Sequence, residues 1–310
     1  MGEIKNIAVI GAGAVGCFYG GKLQKALYQV QFQSNYLFKA KTKKLLVKSV
    51  WGNFDLPLEI FPDTENMKIA DLILITAKSC DPKNDCLHYS KLIRNILGPK
   101  TIILVLQNGI NMEERLQKVF PKNPILGGLA FTCINRISAN EIHHIDYGQI
   151  KIGPVHKKYE EEAKLITQIF NDSGIDTLLE KNLRKARYEK LLWNVPFNSL
   201  SVLGNKASTK EIIDFEPLCS LSKNLMLEVI SIAKSEKIVL KKSLADEMIR
   251  RTKIMKPYKT SMLLDYEKGN KMEVESILGE VYQNGKKNKI NTPNIEYTYN
   301  LMQFLNRNQK

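Results

Sequence analysis

The sequence predicts an α/β fold, with a doubly wound parallel sheet first and an all-helical region after it. Three observations carry that expectation. Short apolar runs alternate with helical stretches over the first half, a glycine-rich turn follows the first of those runs, and strand-like sequence ends near residue 182. The expected elements of the first half are a strand at Ile7–Ile10, a helix from Ala14, strands at Gln29–Gln33 and Asp71–Thr76, and a helix near Tyr89–Leu97. A strand at Thr101–Leu106 and a helix from Met112 follow. Further strands are expected at Ile125–Phe131, Glu141–Ile145 and Gln149–Ile152, then a helix at Glu160–Asp172 and a strand at Asp176–Leu179. From about Leu183 the apolar periodicity is helical throughout, with Pro217, Pro257 and Pro293 as punctuation. The expected division is therefore a Rossmann-type dinucleotide-binding domain over residues 1–181 and a helical substrate or catalytic domain over 182–310.

The turn reads Gly11-Ala12-Gly13-Ala14-Val15-Gly16 between a β-branched strand and an amphipathic stretch. Each glycine has a physical task in a dinucleotide site: Gly11 for the tight turn, Gly13 for backbone approach to a pyrophosphate, and Gly16 for close packing of helix on strand. The helix N-terminus then faces the phosphates. No carboxylate closes the second strand to grip a ribose hydroxyl. It runs into Gln33, Ser34, Asn35 and Tyr36, and the stretch between Glu3 and Asp55 is free of acidic residues while holding Lys22, Lys25, Lys39, Lys41, Lys43, Lys44 and Lys48. This favours the phosphorylated cofactor, NADPH/NADP, with Ser34 and Asn35 as candidate contacts to its extra phosphate. The competing reading is that these lysines merely solvate a helix and a loop.

At 310 residues the chain suits two cores, and 44% hydrophobic with 25% charged residues is ordinary globular composition. The net charge of +14 comes from lysines scattered along the whole chain, a pattern that argues against nucleic-acid binding. Five widely spaced cysteines without a Cys-x-x-Cys pair read as reduced thiols, and Cys80, Cys86 and His88 lack a fourth ligand at zinc spacing, so no metal is expected. No apolar run reaches membrane-spanning length, and the start Met-Gly-Glu-Ile-Lys-Asn carries neither a signal peptide nor a myristoylation Ser or Thr. A cytoplasmic location without a membrane partner is the expectation. The sequence leaves a homodimer open.

The four histidines all lie at or before His156, so an acid supplied by the helical region must be another residue type. Lys190, Asn194 and Asn198 recur every four residues and share one helical face. Two asparagines, poor helix formers, on that stripe point to ligand recognition, and Pro196 within it is expected to kink the helix. A lysine partly withdrawn from water can approach the range of a general acid.

In these blocks the sequence resembles the ketopantoate reductase (2-dehydropantoate 2-reductase) family over nearly its whole length. The glycine turn is similar to the family's cofactor turn. Lys78 in Ile-Thr-Ala-Lys resembles its cleft lysine, and Gln107-Asn108-Gly109 its loop beside the nicotinamide. The Lys190, Asn194, Asn198 stripe resembles its catalytic helix, and Ser261-Met262-Leu-Leu-Asp265 with Gly269, Glu273, Gly279 and Pro293 its C-terminal block. The resemblance implies NADPH-dependent reduction of a 2-oxo acid, most of all ketopantoate to pantoate in pantothenate biosynthesis. It implies Lys190 as general acid and Glu273 as acceptor for the substrate hydroxyl and holder of the lysine. Asn108, Asn194, Asn198 and Ser261 are implied to bind substrate, and the glycine turn, Lys78 and Asn108 to bind cofactor. Two positions depart from the pattern: Met272 where a small hydroxyl residue is common, and Asn35 where an arginine often stands. Residue by residue, Lys78 also reads as a solvated strand end, Ser261 as a helix cap, and Glu273 as one charge on a wet face beside Lys268, Lys271 and Glu275. The rival functions are a paralogous reductase of another 2-oxo acid, a β-hydroxyacid dehydrogenase, whose glycine-rich substrate loop is missing ahead of Lys190, and a nucleotide-binding sensor without catalysis.

Overall fold

The computed structural model describes residues 3–309; Met1, Gly2 and Lys310 lie outside the described residues. The chain divides into two compact units. One takes the chain up to Lys78 with Lys83–Gln107 and Met112–Leu183; the other takes Ser79–Pro82, Asn108–Asn111 and the chain from Arg184 on.

The first unit is built on one sheet. Its strands are β1 (Asn6–Ile10), β2 (Gln29–Gln33), β3 (Lys44–Ser49), β4 (Phe54–Pro57), β5 (Glu59–Phe61), β6 (Ala70–Ile75), β7 (Leu97–Val105), β8 (Ile125–Ser138), β9 (Glu141–Pro154) and β10 (Thr177–Leu179). The order is β4-β3-β9-β8-β7-β6-β1-β2-β5, with β10 beside β9. Pairs from β5 to β8 are all parallel, the doubly wound arrangement, whereas β8–β9 and β3–β4 are antiparallel. Alternate residues of β1 face opposite cores. Ile7 and Val9 join one with Leu72, Leu74 and helices α1 (Ala14–Lys25) and α5 (Glu160–Asp172), while Ala8 and Ile10 join the other with Ile73, Ile75 and helix α3 (Pro82–Ile93). Burial on both faces is what makes these strands read as continuous apolar runs. The remaining helices of this part are α2 (Asn35–Lys39) and α4 (Met112–Val119).

Several expectations need correction. The helix expected near Tyr89–Leu97 starts at Pro82 and ends at Ile93, because proline at a first helical position costs no hydrogen bond, and Leu97 already opens β7. The three short strands expected between Ile125 and Ile152 are two 14-residue strands. Register shifts along the pair, together with Tyr147 and Gly148 at positive φ, break the two-residue alternation that would have marked one long strand. The lysine-rich stretch after α2 is β3, whose Leu45 and Val47 point inward while Lys44 and Lys48 point out to pair with Asp55 and Glu141.

The second unit is helical: α6 (Leu183–Leu203), α7 (Thr209–Asp214), α8 (Glu216–Ser235), α9 (Ser243–Ile254), α10 (Ser261–Glu267), α11 (Glu280–Lys287) and α12 (Pro293–Asn306), with a π-helical turn at Glu275–Gly279 ahead of α11. Its own apolar core joins Leu191, Leu192 and Val195 of α6 to Val229 of α8, Ile277 of the π turn and Met302 of α12. Among the described residues no helix is long and apolar enough to cross a membrane.

Gly11 adopts φ +74°, and a Cβ there would overlap Ala77, whereas nothing lies closer than 3.8 Å to the Cβ position of Gly13. Gly11→Ala should therefore lower unfolding stability by at least about 2 kcal/mol and Gly13→Ala by less than about 1 kcal/mol, read by thermal or urea melts. Equal losses would contradict this account of the turn.

Candidate active site

The glycine turn joins β1 to α1. Thr76 at the end of β6 donates its hydroxyl to the carbonyls of Ile10 (3.1 Å) and Gly11 (2.9 Å), and its side chain abuts Gly16, where any Cβ would collide with it. Gln33 accepts from Gly11 N at 3.2 Å and donates to the Pro62 carbonyl at 2.8 Å. Gly13 is the N-cap of α1 and contributes no capping side chain, and the first turn, Ala14 and Val15 included, holds no acidic residue. The turn is thus rigid at Gly11 and Gly16 and open at Gly13, which fits a pyrophosphate lying on the helix N-terminus. Sequence reasoning missed Arg136. Its guanidinium donates to the carbonyls of Ala12 and Gly13, both at 3.2 Å, and touches Cys17 Sγ at 3.0 Å, adding positive potential beside the turn.

Ser34 and Asn35 sit just beyond β2. The Ser34 hydroxyl accepts from Leu37 N at 3.3 Å as the N-cap of α2, and Asn35 is exposed at its first position. Lys78 is exposed after β6, and its carbonyl accepts from the Tyr89 hydroxyl at 2.9 Å. Gln107 donates to the Ala77 carbonyl at 2.7 Å. These groups belong to the first unit.

The second unit brings three expected residues into one polar cluster. Lys190 Nζ donates to Asn108 Oδ1 at 3.0 Å, and Asn108 Nδ2 donates to Glu273 Oε2 at 3.1 Å, so the asparagine amide links the lysine to the carboxylate. The other carboxylate oxygen of Glu273 accepts from Ser79 N at 3.2 Å. Glu273 is 7% exposed, which removes the reading of one charge on a wet face. On α6, Asn194 and Asn198 follow Lys190 at four-residue spacing and are buried. Among the described residues Asn198 Oδ1 has no hydrogen-bond partner although Asn198 is only 2% exposed, and a buried orphan acceptor costs free energy unless a ligand donor meets it. The helix continues through Pro196 over its full length, and Ser199 donates its hydroxyl back to the Val195 carbonyl near that proline.

Ser261 is not the cap of α10. Thr260 is, its hydroxyl accepting from Leu263 N at 3.2 Å and bonding Ser201 at 2.7 Å, which leaves the Ser261 hydroxyl exposed at the first helical position. The loop that carries Asn108 is fixed at both sides. Gly109, at φ +91°, has the Ser276 carbonyl where a Cβ would go, and Asn111, at φ +76°, accepts from Arg184 at 2.7 Å and donates to Glu280. The family resemblance marked the Gln107-Asn108-Gly109 loop in the sequence, but not its distant partners.

Burial pushes the Lys190 ammonium down from the ordinary 10.5 to about 7; neighbouring Arg187 pushes the same way, and the Glu273 carboxylate opposes both. A fall of that size corresponds to a preference for the neutral amine on the order of 5 kcal/mol relative to water. Such a group holds and releases a proton near neutrality, as a general acid–base must. Among the described residues no cluster of three or more His, Cys, Asp or Glu side chains is arranged to hold a metal ion.

Comparison with known proteins bears on both units. The family model for ketopantoate reductase PanE/ApbA matches residues 7–157, and the model for its C-terminal part matches residues 182–306. A 2-dehydropantoate 2-reductase from Nostoc sp. is 37% identical over 309 residues, covering 97% of this chain and 95% of its own. Among solved structures, 2-dehydropantoate 2-reductase from Geobacter metallireducens superposes with a TM-score of 0.88 at 32% identity, covering 96% of this chain and 99% of that one. The enzyme of the same name from Methylococcus capsulatus gives 0.86 at 30% identity, with 98% of each chain covered. Similarity that runs through the glycine turn, the Asn108 loop, the Lys190 helix and the Glu273 segment alike means that the chain belongs to the ketopantoate reductase PanE/ApbA family.

Proposed function

We propose that this chain is a 2-dehydropantoate 2-reductase that uses NADPH to reduce the ketone of ketopantoate to pantoate. The observation that supports it most is the Lys190–Asn108–Glu273 relay, a lysine titrating near neutrality beside an amide and a buried carboxylate. When bound, the reduced nicotinamide supplies the hydride. Gly11 to Gly16 and the N-terminus of α1 would hold its pyrophosphate, and Lys78 and Asn108 would supply further contacts. Ser34 and Asn35, where an acidic residue would repel an added phosphate, make the phosphorylated form the better fit.

On the substrate side, Lys190 donates a proton to the ketone oxygen as negative charge develops there, and Asn108 fixes the direction of that ammonium. Glu273 accepts from the distal hydroxyl of the substrate and keeps a negative charge facing the lysine. Asn194 and Asn198 orient the keto acid, with the orphan acceptor of Asn198 meeting a substrate donor, and the exposed Ser261 hydroxyl takes its carboxylate. Orientation matters in such a step, since a misplacement of about 1 Å can cost roughly a hundredfold in rate.

Three outcomes test this. With ketopantoate as substrate, followed by loss of reduced-nicotinamide absorbance, Lys190→Ala should lose about a hundredfold or more in kcat while NADPH affinity measured by fluorescence titration stays within about twofold. Turnover near wild type would end the assignment. The wild-type rate of ketone reduction should fall as pH rises through about 7, because the ammonium is the acid. Glu273→Gln removes the charge that favours the ammonium, so its remaining activity should decline at lower pH still; a shift to higher pH contradicts the relay. Finally, kcat/KM with NADPH should exceed that with NADH by at least about tenfold, and parity would remove Ser34 and Asn35 from the phosphate site.

A further inference from the structure

We infer that the polar stripe Tyr299, Gln303 and Asn306 on α12 is the positioning device for Glu273, holding the Met272 backbone on one side of it and the Glu275 carboxylate on the other. This rests on the role proposed above for Glu273 and Lys190.

On one side of Glu273, Met272 N donates to Asn306 Oδ1 at 2.9 Å while Asn306 Nδ2 donates back to the Met272 carbonyl at 3.3 Å, so one side chain reads both backbone groups. On the other side, the Glu275 carboxylate accepts from the Tyr299 hydroxyl at 3.0 and 2.9 Å and from Gln303 Nε2 at 3.0 Å. Gln303 also donates to the Tyr299 oxygen at 2.6 Å. Tyr299, Gln303 and Asn306 are spaced four and three apart and therefore line one face of α12. Between the two anchors lie only Glu273 and Val274, and Val274 is wholly buried.

The geometry beneath this clamp is specialised. Glu275 opens a π-helical turn, a form uncommon in helices and frequent at functional sites. Gly279 ends that turn, and a Cβ there would lie 2.5 Å from Glu275 Oε2, so the glycine makes the room in which Tyr299 and Gln303 reach the carboxylate. The same turn presents the Ser276 carbonyl to Gly109, the residue after Asn108. Through these contacts α12 sets the carboxylate end of the relay directly and the amide in its middle through one backbone contact. Anchoring α12 to the fold needs none of this, since Ile295 and Met302 already bury it in the apolar core.

The groups that act on the Lys190 charge are Arg187 on its own helix and Glu273 opposite, so loosening Glu273 has a defined sign. The test reads Lys190 itself in the full-length protein, by competitive acetylation with acetic anhydride across pH and mass spectrometry of the Lys190 peptide. In Asn306→Ala the Lys190 midpoint should fall by about half a unit or more, and kcat for ketopantoate should fall about tenfold with KM changed less than about threefold. Gln303→Ala, at an exposed position and so benign to folding, should shift the midpoint the same way by less. Tyr282→Phe, which removes a 2.7 Å bond from α11 to Glu296 of α12 and keeps the ring beside Tyr299, should alter melting temperature alone. A Lys190 midpoint unchanged in both Asn306→Ala and Gln303→Ala overturns the inference whatever happens to kcat. The reading of the site fails separately, by Lys190→Ala retaining turnover.

Discussion

The site depends on keeping an ammonium group usable after most of its water has been taken away. Burial and Arg187 both push the Lys190 proton off, and the carboxylate of Glu273, reached through the Asn108 amide, opposes them. A surface lysine would stay protonated at neutral pH and release its proton reluctantly; a buried lysine without a counter-charge would be neutral and have nothing to give. The balance between these influences places the group near 7. Much of the helical unit serves that balance: the π turn and α12 fix the carboxylate, Gly109 and Asn111 fix the amide, and α6 carries the lysine.

The proposed cofactor end obeys a different constraint, close approach rather than charge balance. Gly11 and Gly16 remove side chains where Ala77 and Thr76 press on the turn, and Gly13 leaves its outer side open. Arg136 then adds a guanidinium at the Ala12 and Gly13 carbonyls at the start of α1. Positive potential at that spot comes from the helix N-terminus and from a residue on β8 together.

What was legible in the sequence is what is local. The glycine turn and the Lys190, Asn194, Asn198 stripe each lie within one element, and their spacing encodes the geometry. Glu273 was legible through family resemblance alone, since its burial arises from packing that no neighbouring residue announces. Arg136 acts across 124 residues and Asn306 across 34, which is why neither left a mark in the pattern. The missed strand β3 shows the same limit from another direction, because its outward lysines read as a solvated surface while only Leu45 and Val47 speak for the core. The misplaced helix α3 turned on one residue, Pro82, which opens a helix as readily as it ends one.

Ser79–Pro82 and Asn108–Asn111 are assigned with the helical unit although each is flanked on both sides by chain of the other unit. The polypeptide therefore contributes to the lysine cluster from three separate stretches. Expressing residues 184–310 as an isolated fragment would leave Lys190 without its amide neighbour and Glu273 without the Ser79 amide. Recombination that trades the helical half between relatives carries the same penalty unless two short loops travel with it. Inheritance of this polar cluster is thus tied to both halves of the chain, and an exchange of the halves alone would break it.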